Sequence, residues 1–127
     1  MSEPYAAAAL RHSKDSDLLA DSGRFQGAGY LIGLAVECAI KSAISETRPA
    51  AEAPQMHLPK LVEGAKRTLN GRNAHRLFSV LQMTDFMKSW SIDIRYARDG
   101  LVDEAQFRRW RKDANRALAA ANLRQQA

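Results

Sequence analysis

Between Ala28 and Ile44 the chain reads Ala-Gly-Tyr-Leu-Ile-Gly-Leu-Ala-Val-Glu-Cys-Ala-Ile-Lys-Ser-Ala-Ile, with charge only at Glu37 and Lys41. Wound as an α-helix, Tyr30, Leu31, Ile32, Leu34, Val36, Ala39, Ile40 and Ile44 cover most of its circumference. A helix that is apolar nearly all round belongs at the centre of a bundle. The stretch is too short and too charged to span a membrane, so other helices must cover it. Gly27, Gly33 and Ala35 are small enough for a neighbour to approach closely. No strand precedes Gly27-Ala28-Gly29 and Gly33, so these glycines read as packing positions and not as a dinucleotide cradle.

The rest of the chain is helical in pattern as well. Valine and threonine are scarce, no six-residue run alternates apolar with polar, and good helix formers dominate. Five helices are expected. The first spans Pro4–Ser22, with Ala8, His12 and Leu19 on its inner stripe and Gly23 as a left-handed cap. The second spans Arg24–Thr47, where Glu37 and Lys41, four residues apart, form a structural pair. Residues 48–59, with Pro49, Pro54 and Pro59, form a loop. The third helix runs Pro59–Leu69 and ends at an Asn70-Gly71 turn. The fourth runs Arg72–Ser89, with Leu77, Val80, Leu81, Thr84 and Met87 inward. A connection over Trp90–Gly100 leads to the fifth, Leu101–Arg124, whose inner face is Phe107, Trp110, Ala114, Ala117 and Ala121. At 127 residues the chain makes one domain, 1–127, an all-α up-and-down bundle. Its apolar second helix offers more surface than a small bundle covers alone, which predicts a homodimer.

Chemistry is constrained mostly by exclusion. The single cysteine, Cys38, rules out an internal disulfide and any Cys-based zinc site. His12, His57 and His75 lack metal-ligand spacing. No metal or cofactor is expected. No cationic segment precedes an apolar run at the N-terminus, so a cytoplasmic protein without a membrane role is expected. Charge is uneven. Residues 1–64 carry 6 Lys and Arg against 8 Asp and Glu, and residues 65–127 carry 13 against 6. The basic half culminates in Arg108, Arg109, Arg111, Lys112 and Arg116, which a helix can present to phosphates. RNA or another nucleic acid, bound through its backbone, is the expected partner. Trp110 within this run reads as core.

The segment Gly23-Arg24-Phe25-Gln26-Gly27-Ala28-Gly29-Tyr30-Leu31-Ile32-Gly33-Leu34-Ala35-Val36-Glu37-Cys38-Ala39-Ile40-Lys41 closely resembles the second helix of HEPN-domain proteins. His12-x-x-Asp15 with Leu18-Leu19, His57-Leu58-x-x-Leu61, and Trp90 followed by Arg95-Tyr96 are similar to further elements of that family, in order, over residues 8–96. The resemblance implies a helical bundle that dimerises, found in prokaryotic toxin–antitoxin, phage-defence or nucleotidyltransferase-linked systems. Many such proteins are metal-independent ribonucleases built around Arg-x(4–6)-His. Here no arginine stands five to seven residues before His12, His57 or His75. The expectation is therefore a non-catalytic, HEPN-like binding module for nucleic acid or a nucleotidyltransferase-type protein. The alternative is a divergent ribonuclease in which Arg95 stabilises phosphate charge and Tyr96, His57 or His75 moves protons.

Overall fold

A computed structural model of the chain describes residues 4–47, 56–69 and 75–123. Its helices are α1 (Tyr5–Asp21), α2 (Phe25–Thr47), α3 (Lys60–Thr68), α4 (His75–Leu81) and α5 (Glu104–Ala120), with a short 3-10 helix at Ile92–Tyr96 before α5. The described residues contain no strand, so the fold is an all-α bundle. The expected Asn70-Gly71 turn lies outside the described residues, as does most of the expected loop after α2.

Gly23 ends α1 with a φ of +76°. Its N–H donates to the Ala20 carbonyl at 2.9 Å and the Arg24 N–H to the Leu19 carbonyl at 2.8 Å, which closes a Schellman cap. The same device ends α5 before the expected Arg124. Asn122 takes a φ of +64°, its N–H donates to Ala119, and the Leu123 N–H donates to Leu118. At the other end α5 begins later than Leu101 because Asp103 caps it, accepting the Gln106 N–H at 2.8 Å.

α2 is the hub: it packs against α1, α3, α5 and the 3-10 helix. Ala28, Ile32, Ala35, Val36, Ala39, Ile40 and Ile44 are sealed from solvent. The apolar stretch is longer than the sequence suggests. Phe25–Glu46 is long and apolar enough to cross a membrane by length and composition alone, but 61% of it is buried inside the fold, as a core helix is. One stripe, Leu31, Leu34 and Cys38, is only partly covered.

The inner face of α1 differs from the expectation. Ala8, His12 and Leu19 are only half-buried, and the buried residues are Ala9, Ser13 and Ser16. Small side chains let α1 lie close to α2, and the Ser16 hydroxyl donates to the Ala28 carbonyl at 2.7 Å. A buried hydroxyl with a partner costs little. The glycines of α2 do pack tightly, but chiefly against indoles. A Cβ on Gly33 would overlap the Trp90 ring, and one on Gly29 would come within 3.0 Å of Trp110. Trp90 Nε1 donates to the Gly29 carbonyl at 2.8 Å, and the Trp90 ring stacks on Tyr30.

α4 ends earlier than expected, at Leu81, and residues 82–89 form successive turns in which Asp85, Met87 and Ser89 have positive φ. Two α5 side chains hold this path. The Asp113 carboxylate accepts the Met87 N–H at 2.9 Å, and Trp110 Nε1 donates to the Lys88 carbonyl at 2.8 Å. Met87 still reaches the core, while Thr84 is exposed. The inner face of α5 is as expected: Phe107, Trp110, Ala114, Ala117 and Ala121 are all buried.

Candidate functional site

The basic residues of α5 divide into two groups. With Phe107, Trp110 and Ala114 turned inward, the helical period places Arg109, Lys112 and Arg116 on the outer face, away from the core. None of the three forms an ion pair among the described residues, and Arg109 only reaches the Gln106 side chain at 3.3 Å. Arg108 is neutralised one turn back by Glu104, with Nε 2.8 Å from Oε2. Arg111 turns toward α1 and pairs with Asp17 at 2.9 Å. Both thus have an acidic neighbour inside the chain, which the other three lack among the described residues.

The Asp17–Arg111 pair sits in a cleft of about 350 Å³ between α1 and α5, with Ser13 and Asn115 on its walls. Burial pushes the Asp17 carboxyl above its ordinary range, and Arg111 pulls it the other way. Oδ1 is enclosed and makes no in-line hydrogen bond despite its distance from Arg111. This arrangement ties two helices together.

Glu37 does not pair with Lys41. Its buried carboxylate accepts from His57 Nδ1 at 3.0 Å and from the Leu58 N–H at 3.0 Å, ahead of the cis Leu58–Pro59 bond. Lys41 instead lies over the Tyr5 ring, 5.8 Å from its centroid. A buried carboxylate facing a backbone N–H and an imidazole is satisfied on both oxygens, which explains why the helical neighbour loses the competition. Glu37 thus links α2 to the chain entering α3.

Arg95 and Tyr96 form a second group. The Arg95 guanidinium lies 4.7 Å from the Tyr96 ring centroid, and Tyr96 is 79% exposed. Arg95 also lines a cleft of about 570 Å³ between the α1–α2 turn and the approach to α5, with Arg24, Gln26, Tyr30 and Asp99. His57 does not line this cleft. It is fastened to Glu37, seven residues beyond Tyr30 on α2, about 10 Å along the axis at the α-helical rise. The structure thus does not bring Arg95, Tyr96 and His57 into one centre. His75 is exposed at the start of α4. Among the described residues no three His, Cys, Asp or Glu side chains gather as a metal site would require.

Sequence reasoning missed Arg24, Gln26 and Asp99 as cleft residues. Gln26 Oε1 accepts the Val102 N–H at 2.9 Å across 76 residues, a contact with no local signal. Arg24 was readable as the start of the second helix and as part of the residue 23–41 segment, but not as a cleft residue. No protein-family model, no curated protein and no solved structure matches the chain.

Proposed function

We propose that this chain is a non-catalytic, HEPN-like binding module that takes the phosphate backbone of nucleic acid on the outer face of α5. The observation that carries the reading is the stripe of Arg109, Lys112 and Arg116, three outward-facing cations without an acidic partner among the described residues. Buried apolar residues on the opposite face fix the helix, so the cations are presented on a rigid support. Such a surface binds phosphates by charge, with strong salt dependence and little choice of sequence. The family reading rests on the residue 23–41 signature and on the central place of α2. In this reading the module works as a homodimer through the partly covered Leu31, Leu34 and Cys38 stripe, in the setting of a toxin–antitoxin or defence system. A nucleotidyltransferase-type protein is the further partner proposed.

The test is binding of a labelled RNA oligonucleotide across a salt series. Arg109→Glu with Lys112→Glu is expected to weaken binding more than tenfold at low salt. It should also flatten the logarithmic salt slope by about 1.4, because two cations no longer meet phosphate. Unchanged affinity and slope would remove α5 as the interface.

One observation favours the ribonuclease reading: Glu37 holds one nitrogen of the half-exposed His57 imidazole, an arrangement that suits proton transfer. Against it, Arg95 lines a cleft that His57 does not reach. Incubating RNA with wild type and Arg95→Ala in the presence of EDTA decides between the two. Cleavage by wild type that the variant loses would favour the enzyme.

A further inference from the structure

The cleft beside the α1–α2 turn plays no part in the α5 interface, yet it brings two arginines together around a cavity of small-ligand size. Arg24 enters from the turn and Arg95 from the 3-10 helix. Neither forms an ion pair among the described residues. Two guanidiniums on one cleft suit an anionic oxygen group such as a phosphate. Asp99, the one carboxylate on the wall among the described residues, accepts hydrogen bonds from N–H and O–H donors, which a sugar or a base carries.

Tyr96 supplies the second half of the argument. Tyr96 does not itself line the cleft, but the guanidinium of Arg95, which does, lies 4.7 Å from its ring centroid, so the ring is adjacent to the cleft. The core leaves it 79% exposed, while Trp90 and Trp110 are buried. The Arg95 guanidinium covers one face of the ring. The other face is open to a planar group, and nucleobases stack on such faces regardless of sequence.

We propose that this cleft, with Tyr96 adjacent to it, is a single-strand contact: a phosphate of an unpaired nucleotide sits between Arg24 and Arg95, and its base stacks on the open face of Tyr96. The proposal rests on the nucleic-acid reading above and adds strand preference to it. A base inside a duplex is already stacked on both faces and cannot reach Tyr96.

The experiment measures anisotropy of labelled oligoadenylate, of an RNA duplex of equal length, and of an abasic strand with the same number of phosphates. Wild type is compared with Tyr96→Ser, Tyr96→Phe, Arg24→Ala with Arg95→Ala, and the α5 double variant. Circular dichroism checks that each variant is folded. Tyr96→Ser is expected to weaken single-strand binding about tenfold and leave duplex binding unchanged, while Tyr96→Phe keeps wild-type affinity. The arginine pair should weaken single-strand binding too, and the abasic strand should not distinguish wild type from Tyr96→Ser. If Tyr96→Ser binds the strand as wild type does while the α5 variant still loses affinity, the cleft inference is overturned and the nucleic-acid reading stands. Equal losses on strand and duplex overturn it as well. If wild type binds none of the RNAs, both readings fall together.

Discussion

Gly33 is the residue with the least freedom to change. Its α-carbon faces the Trp90 indole so closely that any Cβ would overlap the ring. Gly33→Ala is expected to destabilise the fold by about 3 kcal/mol or more, read as a lower urea midpoint, because the ring is buried and held by its bond to Gly29. Glu37 is constrained by polarity. Glu37→Ala leaves the buried Leu58 N–H without its acceptor, a loss of about 1–3 kcal/mol in the same measurement. His57→Ala should cost less, since that ring is half-exposed. Two titrating groups act in opposite directions. Burial, aided by Arg11, lowers the His12 pKa from its ordinary 6.5. The unfolded chain therefore takes up the proton first as pH falls, and stability drops below about pH 6.5. His12→Gln should remove that part of the drop. The Asp17 pKa is raised above its ordinary 3.8, chiefly by burial. Its contribution is full below that value and is lost as pH rises through the higher folded pKa, so Asp17→Asn should gain on wild type over that rise.

At the scale of elements, α5 and α4 show opposite behaviour. α5 was legible on most of its inner face, because Phe107, Trp110, Ala114, Ala117 and Ala121 repeat at helical spacing and the core receives them, while Leu118 and Ala120, off that stripe, are buried as well. α4 was legible only to Leu81. Residues after it carry no proline or glycine to stop a helix. The stop comes from Asp113 and Trp110, which take the Met87 N–H and the Lys88 carbonyl from outside. Propensity yields to tertiary hydrogen bonds at such places. Asp113→Ala is expected to cost about 1–2 kcal/mol and to speed hydrogen exchange of the Met87 amide, whose acceptor it removes. If that amide exchanges at the wild-type rate, Asp113 does not hold the turns. α1 shows a third pattern. Its buried stripe is Ala9, Ser13 and Ser16, which hydropathy does not mark, since closeness to α2 demands small side chains there.

For the whole molecule, the basic half remains a physical fact, but the fold redistributes it. Arg108 and Arg111 are answered by Glu104 and Asp17, Arg109, Lys112 and Arg116 face outward, and Arg24 and Arg95 meet at a separate cleft. Assembly belongs to this scale as well. Sedimentation at micromolar concentration is expected to show a dimer, and Leu34→Lys, placed on the partly covered stripe of α2, is expected to give a monomer. A monomeric wild type would contradict the homodimer.

What the residues determined alone was the all-helical class, the central place of α2, the cap at Gly23 and the inward face of α5. Each follows from periodicity or from a local backbone preference, which neighbours in sequence set. What only the folded chain decided was partnership, Glu37 with His57 and Leu58 in place of Lys41 and Arg111 with Asp17, and the shared cleft of Arg24 and Arg95. A charged side chain goes to the partner that answers its desolvation, and which partner is near depends on contacts between residues far apart in the chain.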